Sequence, residues 1–278
     1  MTAPLLEIEN LRVSFPTNKG RVDVVRGLSL TLGRERLGIV GESGSGKSMT
    51  GRAILRLIRP PGHQQADRLI FDGIDLQAQS ERAMRRLRGA RISMIMQDPK
   101  FSLNPVMTVG AQIAEALVTH ENLPRSDLRA RVIEMLHSVR INEPERVTAL
   151  YPHEVSGGMG QRIMIAMMLI PRPDLLIADE PTSALDVSVQ AQVLDLIDEQ
   201  VRDKGMGLIL ISHDLNLVAR YCDRILVMHA GEVVESCVAS ELHKARHPYT
   251  RGLLAAVPRM RETRDELPVL DRSAWGGT

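Results

Sequence analysis

The octapeptide Gly41-Glu-Ser-Gly-Ser-Gly-Lys47-Ser48 constrains this chain more than any other stretch. It follows a short apolar run, Leu37 to Val40. A helical pattern opens at Lys47 and extends to about Leu57, ahead of Pro60 and Pro61. Strand, glycine-rich turn and helix in that order fit the pattern G-x-x-x-x-G-K-[ST] in full. Gly41, Gly44 and Gly46 let the backbone wrap so that its N–H groups surround anionic oxygens, with Glu42, Ser43 and Ser45 between them. Lys47 supplies a point charge for β- and γ-phosphates, and Ser48 a hydroxyl for Mg²⁺. The helix that opens through Met49 adds the positive end of its dipole. By itself this loop says only that a nucleoside triphosphate binds.

The rest of the chain is ordinary globular sequence. Its 278 residues can bury a sizeable core without a disulfide or metal staple. A composition of 44% hydrophobic and 25% charged residues excludes disorder as the main state. Thirty-five basic against 34 acidic residues argue against a nucleic-acid partner, which usually demands a basic excess. Aromatics make up only 3%, so the core must be aliphatic, with methionine as filler. The start, MTAPLLEIEN, is no secretory signal. The longest strongly apolar run, Ile163 to Ile170, falls far short of the roughly 20 residues of a membrane-spanning helix. Any membrane association is therefore expected through a partner.

Leu6 to Phe15 alternates apolar and polar residues with period two, as a strand does, and Val22 to Leu32 is again strand-rich. The arginines of residues 81–91 read as a solvated helix face, because their charge is locally mixed. Ile92 to Met96 reads as a buried strand. Helical spacing runs from Val109 to Arg140, interrupted by the polar ENLPRSD. Then come a helix (Gly160 to Leu169), a strand (Leu175 to Ala178), a helix (Val187 to Val201) and a strand (Leu208 to Ile211). Strands alternating with helices predict an α/β fold with a largely parallel sheet.

Leu175-Leu-Ile-Ala-Asp179-Glu180 is an apolar strand ending in two carboxylates. Asp179 is suited to hold Mg²⁺, and Glu180 to polarise an attacking water as general base. Taken alone, DEPTSALD could be a plain acidic turn. Beside a complete phosphate loop, the catalytic reading prevails.

Further motifs follow in order: Gln97 in SMIMQDP; Ser156, Gly157, Gly158, Met159 and Gln161 in VSGGMGQR; Ser183-Ala184-Leu185-Asp186 after the acidic pair; and His213 in LILISHD. Together with the phosphate loop they resemble the ATP-binding-cassette (ABC) ATPases, over about Leu6 to Pro258. The resemblance implies a P-loop NTPase fold: a RecA-like core, an antiparallel β subdomain and a helical signature subdomain over about 98–170. It implies that Gln97 senses Mg²⁺ and that His213 contacts the γ-phosphate. Phe15 would stack on adenine. Ser156, Gly157, Gly158, Met159 and Gln161 would act in trans across a head-to-tail dimer, beside the loop Ser183 to Asp186. Each residue has a plainer role available too; Ser156 is well placed to cap a helix.

YPHEVSGGM and HPYTRGLLAAVP (His247 to Pro258) are similar to the peptide/nickel import branch, with a C-terminal family helix over about 241–258 and a polar tail over 259–278. The implied partners are a second, paralogous ATPase subunit, two transmembrane permease subunits and an extracytoplasmic substrate-binding protein. The implied location is peripheral, on the cytoplasmic face of the inner membrane. Many peptide-importing members carry a cysteine-rich extension for an iron–sulfur cluster. With only Cys222 and Cys237 in the sequence, no such cluster is expected. The rival reading, a soluble ABC ATPase of DNA repair or translation, calls for coiled-coil insertions or a second cassette. A P-loop kinase or GTPase has no use for the signature loop.

Overall fold

The alternation read from Leu6 onward becomes β1 (Leu6–Thr17), with Leu6, Ile8, Leu11 and Val13 turned inward. The computed structural model describes residues 3–96, 103–183 and 187–256. The chain divides into two compact units, residues 1–78 with 209–278 and residues 79–208.

In the first unit, β1 pairs antiparallel with β2 (Gly20–Leu32), and Thr17 opposite Gly20 leaves a tight turn. Asn10, at φ 51°, sits where the β1–β2 register shifts. Its side chain donates to Asp67 at 2.9 Å, so the bulge is anchored. The other edge of β1 takes β4 (His63–Gln65) and β5 (Arg68–Phe71), and β5 pairs with β6 (Ile74–Asp75). Asp72 and Gly73 both have positive φ, as a type I′ hairpin turn requires.

A second sheet of this unit carries the phosphate loop. Its central strand β3 (Arg36–Val40) lies parallel to β10 (Arg224–His229), which pairs antiparallel with β11 (Glu232–Val238). On its other side β3 neighbours β9 (Gly207–Ser212). Helix α8 (Leu215–Tyr221) packs so tightly on β3 that a Cβ at Gly38 would lie 1.9 Å from Val218 Cγ1.

Helix α1 (Lys47–Ile54) stops short of the expected Leu57. Arg56 turns into the left-handed region at φ 51°. Leu57 N–H then donates to Arg52 O and Arg56 N–H to Ala53 O, both at 2.9 Å. This is a Schellman stop with arginine where glycine is usual, so the sequence carries no warning of it. The continuous C-terminal helix expected over 241–258 is also two pieces, a 3₁₀ turn (Ala239–Lys244) and α9 (Pro248–Ala256). Pro248 disfavours helical backbone at His247 and so separates them.

The second unit opens with α2 (Glu81–Leu87), N-capped by Ser80, with Arg82, Arg85 and Arg86 exposed as expected; Arg88 and Arg91 lie beyond the helix, half-buried against Glu81 and Asp174. Its strands β7 (Ile92–Ile95) and β8 (Leu175–Asp179) are parallel, and every residue of β8 is buried. The helices α3 (Val109–Val118), α4 (Arg125–Ser138), α5 (Pro144–Val147), α6 (Gly157–Leu169) and α7 (Val187–Lys204) complete it. Helix α6 begins earlier than the expected Gly160, because the Ser156 Oγ accepts from Met159 N–H at 3.3 Å and starts the helix at Gly157.

Candidate nucleotide-binding site

Val40 ends β3, and the glycine-rich loop follows at once. A Cβ at Gly41 would lie 2.1 Å from the Met228 carbonyl oxygen. One at Gly46, where φ is 99°, would lie 2.4 Å from that of Val24. The loop is thus pressed against β10 and β2, and only glycine fits at either place. Ser45 N–H donates to Glu42 O at 3.2 Å, and Gly231 N–H to Ser45 O at 3.1 Å.

Lys47 folds back into this loop. Its Nζ donates to Gly41 O and Glu42 O, each at 2.8 Å, and it is only 5% exposed. The ammonium is held there by neutral carbonyls. Phosphate oxygens make stronger, charge-assisted hydrogen bonds with such a cation, so these residues fit a nucleotide's phosphates. The hydroxyl of Ser48 and the carboxylate of Asp179 are hard oxygen donors of the kind Mg²⁺ takes beside phosphates.

His213 follows β9 in a turn held by its neighbours. Asp214 N–H donates to Ser212 Oγ at 3.0 Å, and Asp214 Oδ1 caps α8 by accepting from Asn216 and Leu217 N–H. The His213 side chain is exposed. Phe15 is half-buried on β1 opposite Val22. Its ring edge meets the turn at Gly62, where a Cβ would lie 2.6 Å from Cε1.

In the second unit, β8 delivers Asp179 as its last residue, 3% exposed, and Glu180 comes next. Glu180 has φ 47°. Pro181 disfavours right-handed helical backbone at Glu180. Left-handed backbone costs a non-glycine residue about 1–3 kcal/mol and persists where the surroundings over-determine it. Ser156 and Gly157 are exposed at the start of α6, and nothing lies within 4 Å of a Cβ built at Gly157. Gly158 faces Val189, and Met159 is half-buried.

Gln161 departs from its expected place. The resemblance put it in the surface that acts in trans, yet it is 1% exposed and donates its amide to Pro181 O of the same unit. It faces inward because Gly160 and Gln161 lie on the buried side of α6. Ser183, exposed, donates its N–H to Glu180 O at 3.3 Å. Gln97, Ala184, Leu185, Asp186 and the tail over 259–278 lie outside the described residues.

One contact went unforeseen. The hydroxyl of Tyr249, on α9, accepts from Glu42 N–H at 3.0 Å. The family helix expected over 241–258 includes Tyr249, but nothing in the sequence signals what its phenol meets. Cys222 is buried and Cys237 half-buried. Burial and the Glu235 and Glu241 carboxylates push the Cys237 thiol up, away from the thiolate a metal needs.

Parallel strands, a complete phosphate loop and a paired acidic strand end define a nucleotide-binding cassette. The chain belongs to the ABC transporter family, whose pattern it matches over residues 25–183. It is similar to the oligopeptide transport ATP-binding protein OppD of Bacillus subtilis (strain 168), at 47% identity over 265 residues, 94% of this chain and 74% of OppD. It is likewise 47% identical over 264 residues to the glutathione import ATP-binding protein GsiA of Escherichia coli (strain K12), covering 92% of this chain and 42% of GsiA. The chain thus spans less than half of that relative. Among solved structures, the dimeric bacterial ABC transporter cassette MJ0796 superposes with TM-score 0.75 at 25% identity, over 84% of this chain and 98% of that one. CbiO1 of Clostridium perfringens, part of the ABC transporter complex cbiONQ, gives 0.74 at 26% identity, over 87% and 92%. The fold expected from the motifs is the fold observed.

Proposed function

We propose that this chain is the ATP-hydrolysing subunit that energises import of peptides through a membrane permease. The observation that carries the reading is Lys47, an ammonium sheltered in a glycine-rich loop at the head of α1 and held by carbonyls that phosphate oxygens can displace. Two relatives whose names specify oligopeptide transport and glutathione import support the peptide side of the cargo over a nickel complex.

The roles follow from the chemistry of each side chain. Gly41 to Met49 cradle the phosphates, with Lys47 on the β- and γ-phosphates. Bound Mg²⁺ would neutralise charge developing on the phosphate oxygens, and Ser48, Asp179 and Gln97 are the residues that would hold it. Glu180 takes a proton from the attacking water, and His213 orients that water against the γ-phosphate. Phe15 stacks on adenine. Ser156, Gly157, Gly158 and Met159 meet the nucleotide of a second, paralogous ATPase subunit, with Ser183 to Asp186 beside that junction. Closure of the pair around ATP drives the permease, and hydrolysis resets it.

No helix among the described residues is long and apolar enough to cross a membrane. The chain would therefore reach the cytoplasmic face of the membrane by docking on two permease subunits, while an extracytoplasmic binding protein selects cargo. The test is reconstitution of the chain with its paralogue, permease and binding protein in proteoliposomes. ATP-dependent uptake of labelled peptide is expected. Uptake of a nickel chelate without peptide would reassign the cargo, and a chain that neither binds nor hydrolyses ATP would overturn the whole reading.

A further inference from the structure

Tyr249 is 1% exposed and lies far along the chain from the residues that form the phosphate loop. It is seated with care. Glu235 on β11 accepts from Arg246 N–H at 2.7 Å and from His247 N–H at 3.3 Å, which pins the approach to α9. His247 Nδ1 then accepts from Tyr249 N–H at 3.2 Å and Pro248 opens the helix. The ring packs against His229 at the end of β10, with centroids 4.2 Å apart.

All of that packing could be made by phenylalanine. The hydroxyl does one further thing: it accepts from Glu42 N–H at 3.0 Å. That N–H belongs to the peptide joining Gly41 to Glu42, whose carbonyl end, Gly41 O, accepts from Lys47 Nζ at 2.8 Å. The N–H and C=O of a trans peptide point to opposite sides of the chain. One rigid plane therefore has Tyr249 on one side and Lys47 on the other. Rotating that plane would break both contacts together. Gly41 can turn more freely than any other residue type, so the plane needs an outside hold.

We propose that Tyr249 is a positioning residue for the phosphate site. Its hydroxyl fixes the Gly41–Glu42 peptide so that the carbonyl faces Lys47, which makes nucleotide affinity depend on the seating of α9. This rests on the ATP-binding reading of the loop. The Glu42 N–H stays committed to Tyr249. The hydroxyl acts on binding and leaves the proton transfer at Glu180 alone.

The experiment uses the full chain with Tyr249→Phe, which keeps the ring and its packing. Affinity is read with a fluorescent ADP analogue plus Mg²⁺, and steady-state ATPase is measured with the permease assembly. A lost hydrogen bond of this kind predicts a rise of about three- to ten-fold in nucleotide Kd and in KM for ATP, with kcat within about two-fold. Glu235→Gln is the comparator: it loosens the approach to α9 and should lower Tm while moving KM less than Tyr249→Phe does. An unchanged Kd and KM in Tyr249→Phe overturns the proposal. So does a fall in kcat alone, or a larger rise in KM in Glu235→Gln than in Tyr249→Phe. Failure of the ATP-binding reading would look different, since the unmodified chain and Lys47→Ala would then bind the analogue equally poorly.

Discussion

Gln161, buried in α6, donates its side-chain amide to the carbonyl of Pro181, the residue after Glu180. The bond ties α6 to the turn that follows β8. Gln161→Ala would leave that carbonyl without its donor. A buried polar group left unsatisfied costs about 1–3 kcal/mol. Urea unfolding should show a loss of that size, together with slower ATP turnover as the turn at Glu180 loosens. An unfolding midpoint equal to that of the unmodified chain would show the contact to be dispensable.

Glu180→Gln is expected to keep ATP binding and lose nearly all hydrolysis, because the amide keeps the shape and cannot take a proton. General-base catalysis is worth about 10² to 10⁴ in rate. Near-normal steady-state turnover would remove Glu180 from the role of base. Lys47→Ala should instead weaken nucleotide binding itself, since it deletes the cation held at Gly41 O and Glu42 O.

Ser156 is exposed at the head of α6, which suits a residue that meets a second subunit. Ser156→Arg should leave ATP binding by the single chain almost intact and block ATP-dependent association with the second ATPase subunit. Size-exclusion chromatography in a Glu180→Gln background reads this directly. Unchanged association would refute the role in trans.

Glu235 gives the seating of α9 a pH dependence. Burial pushes its carboxyl up, but the nearby Thr250 hydroxyl and the N–H groups of Arg246 and His247 outweigh that and hold it below the ordinary value. A carboxylate whose folded pKa is depressed contributes stability above its unfolded pKa, about 4.3, and loses it as pH falls through the folded value. The chain should therefore exceed Glu235→Gln in Tm at neutral pH, with the gap closing below about pH 4.3. A gap that widens on acidification would contradict this sign.

Local physics made much of this protein legible in its sequence. The strand–loop–helix at Leu37 to Lys47, the buried strand ending at Asp179 just before Glu180, and Ser156 as a helix cap each depend on residues within a turn or two of one another. Periodicity, glycine freedom and side-chain caps act over that range, so composition and spacing suffice. Packing decided the rest. Arg56 ends α1 in a conformation usual for glycine, with its side chain donating to Leu76 O at 2.9 Å. Gln161 turns inward because the buried side of α6 claims it. Tyr249 meets Glu42 across 207 residues of sequence, a distance over which no local preference acts; only the folding of α9 against β10 and β11 brings that hydroxyl to the phosphate loop.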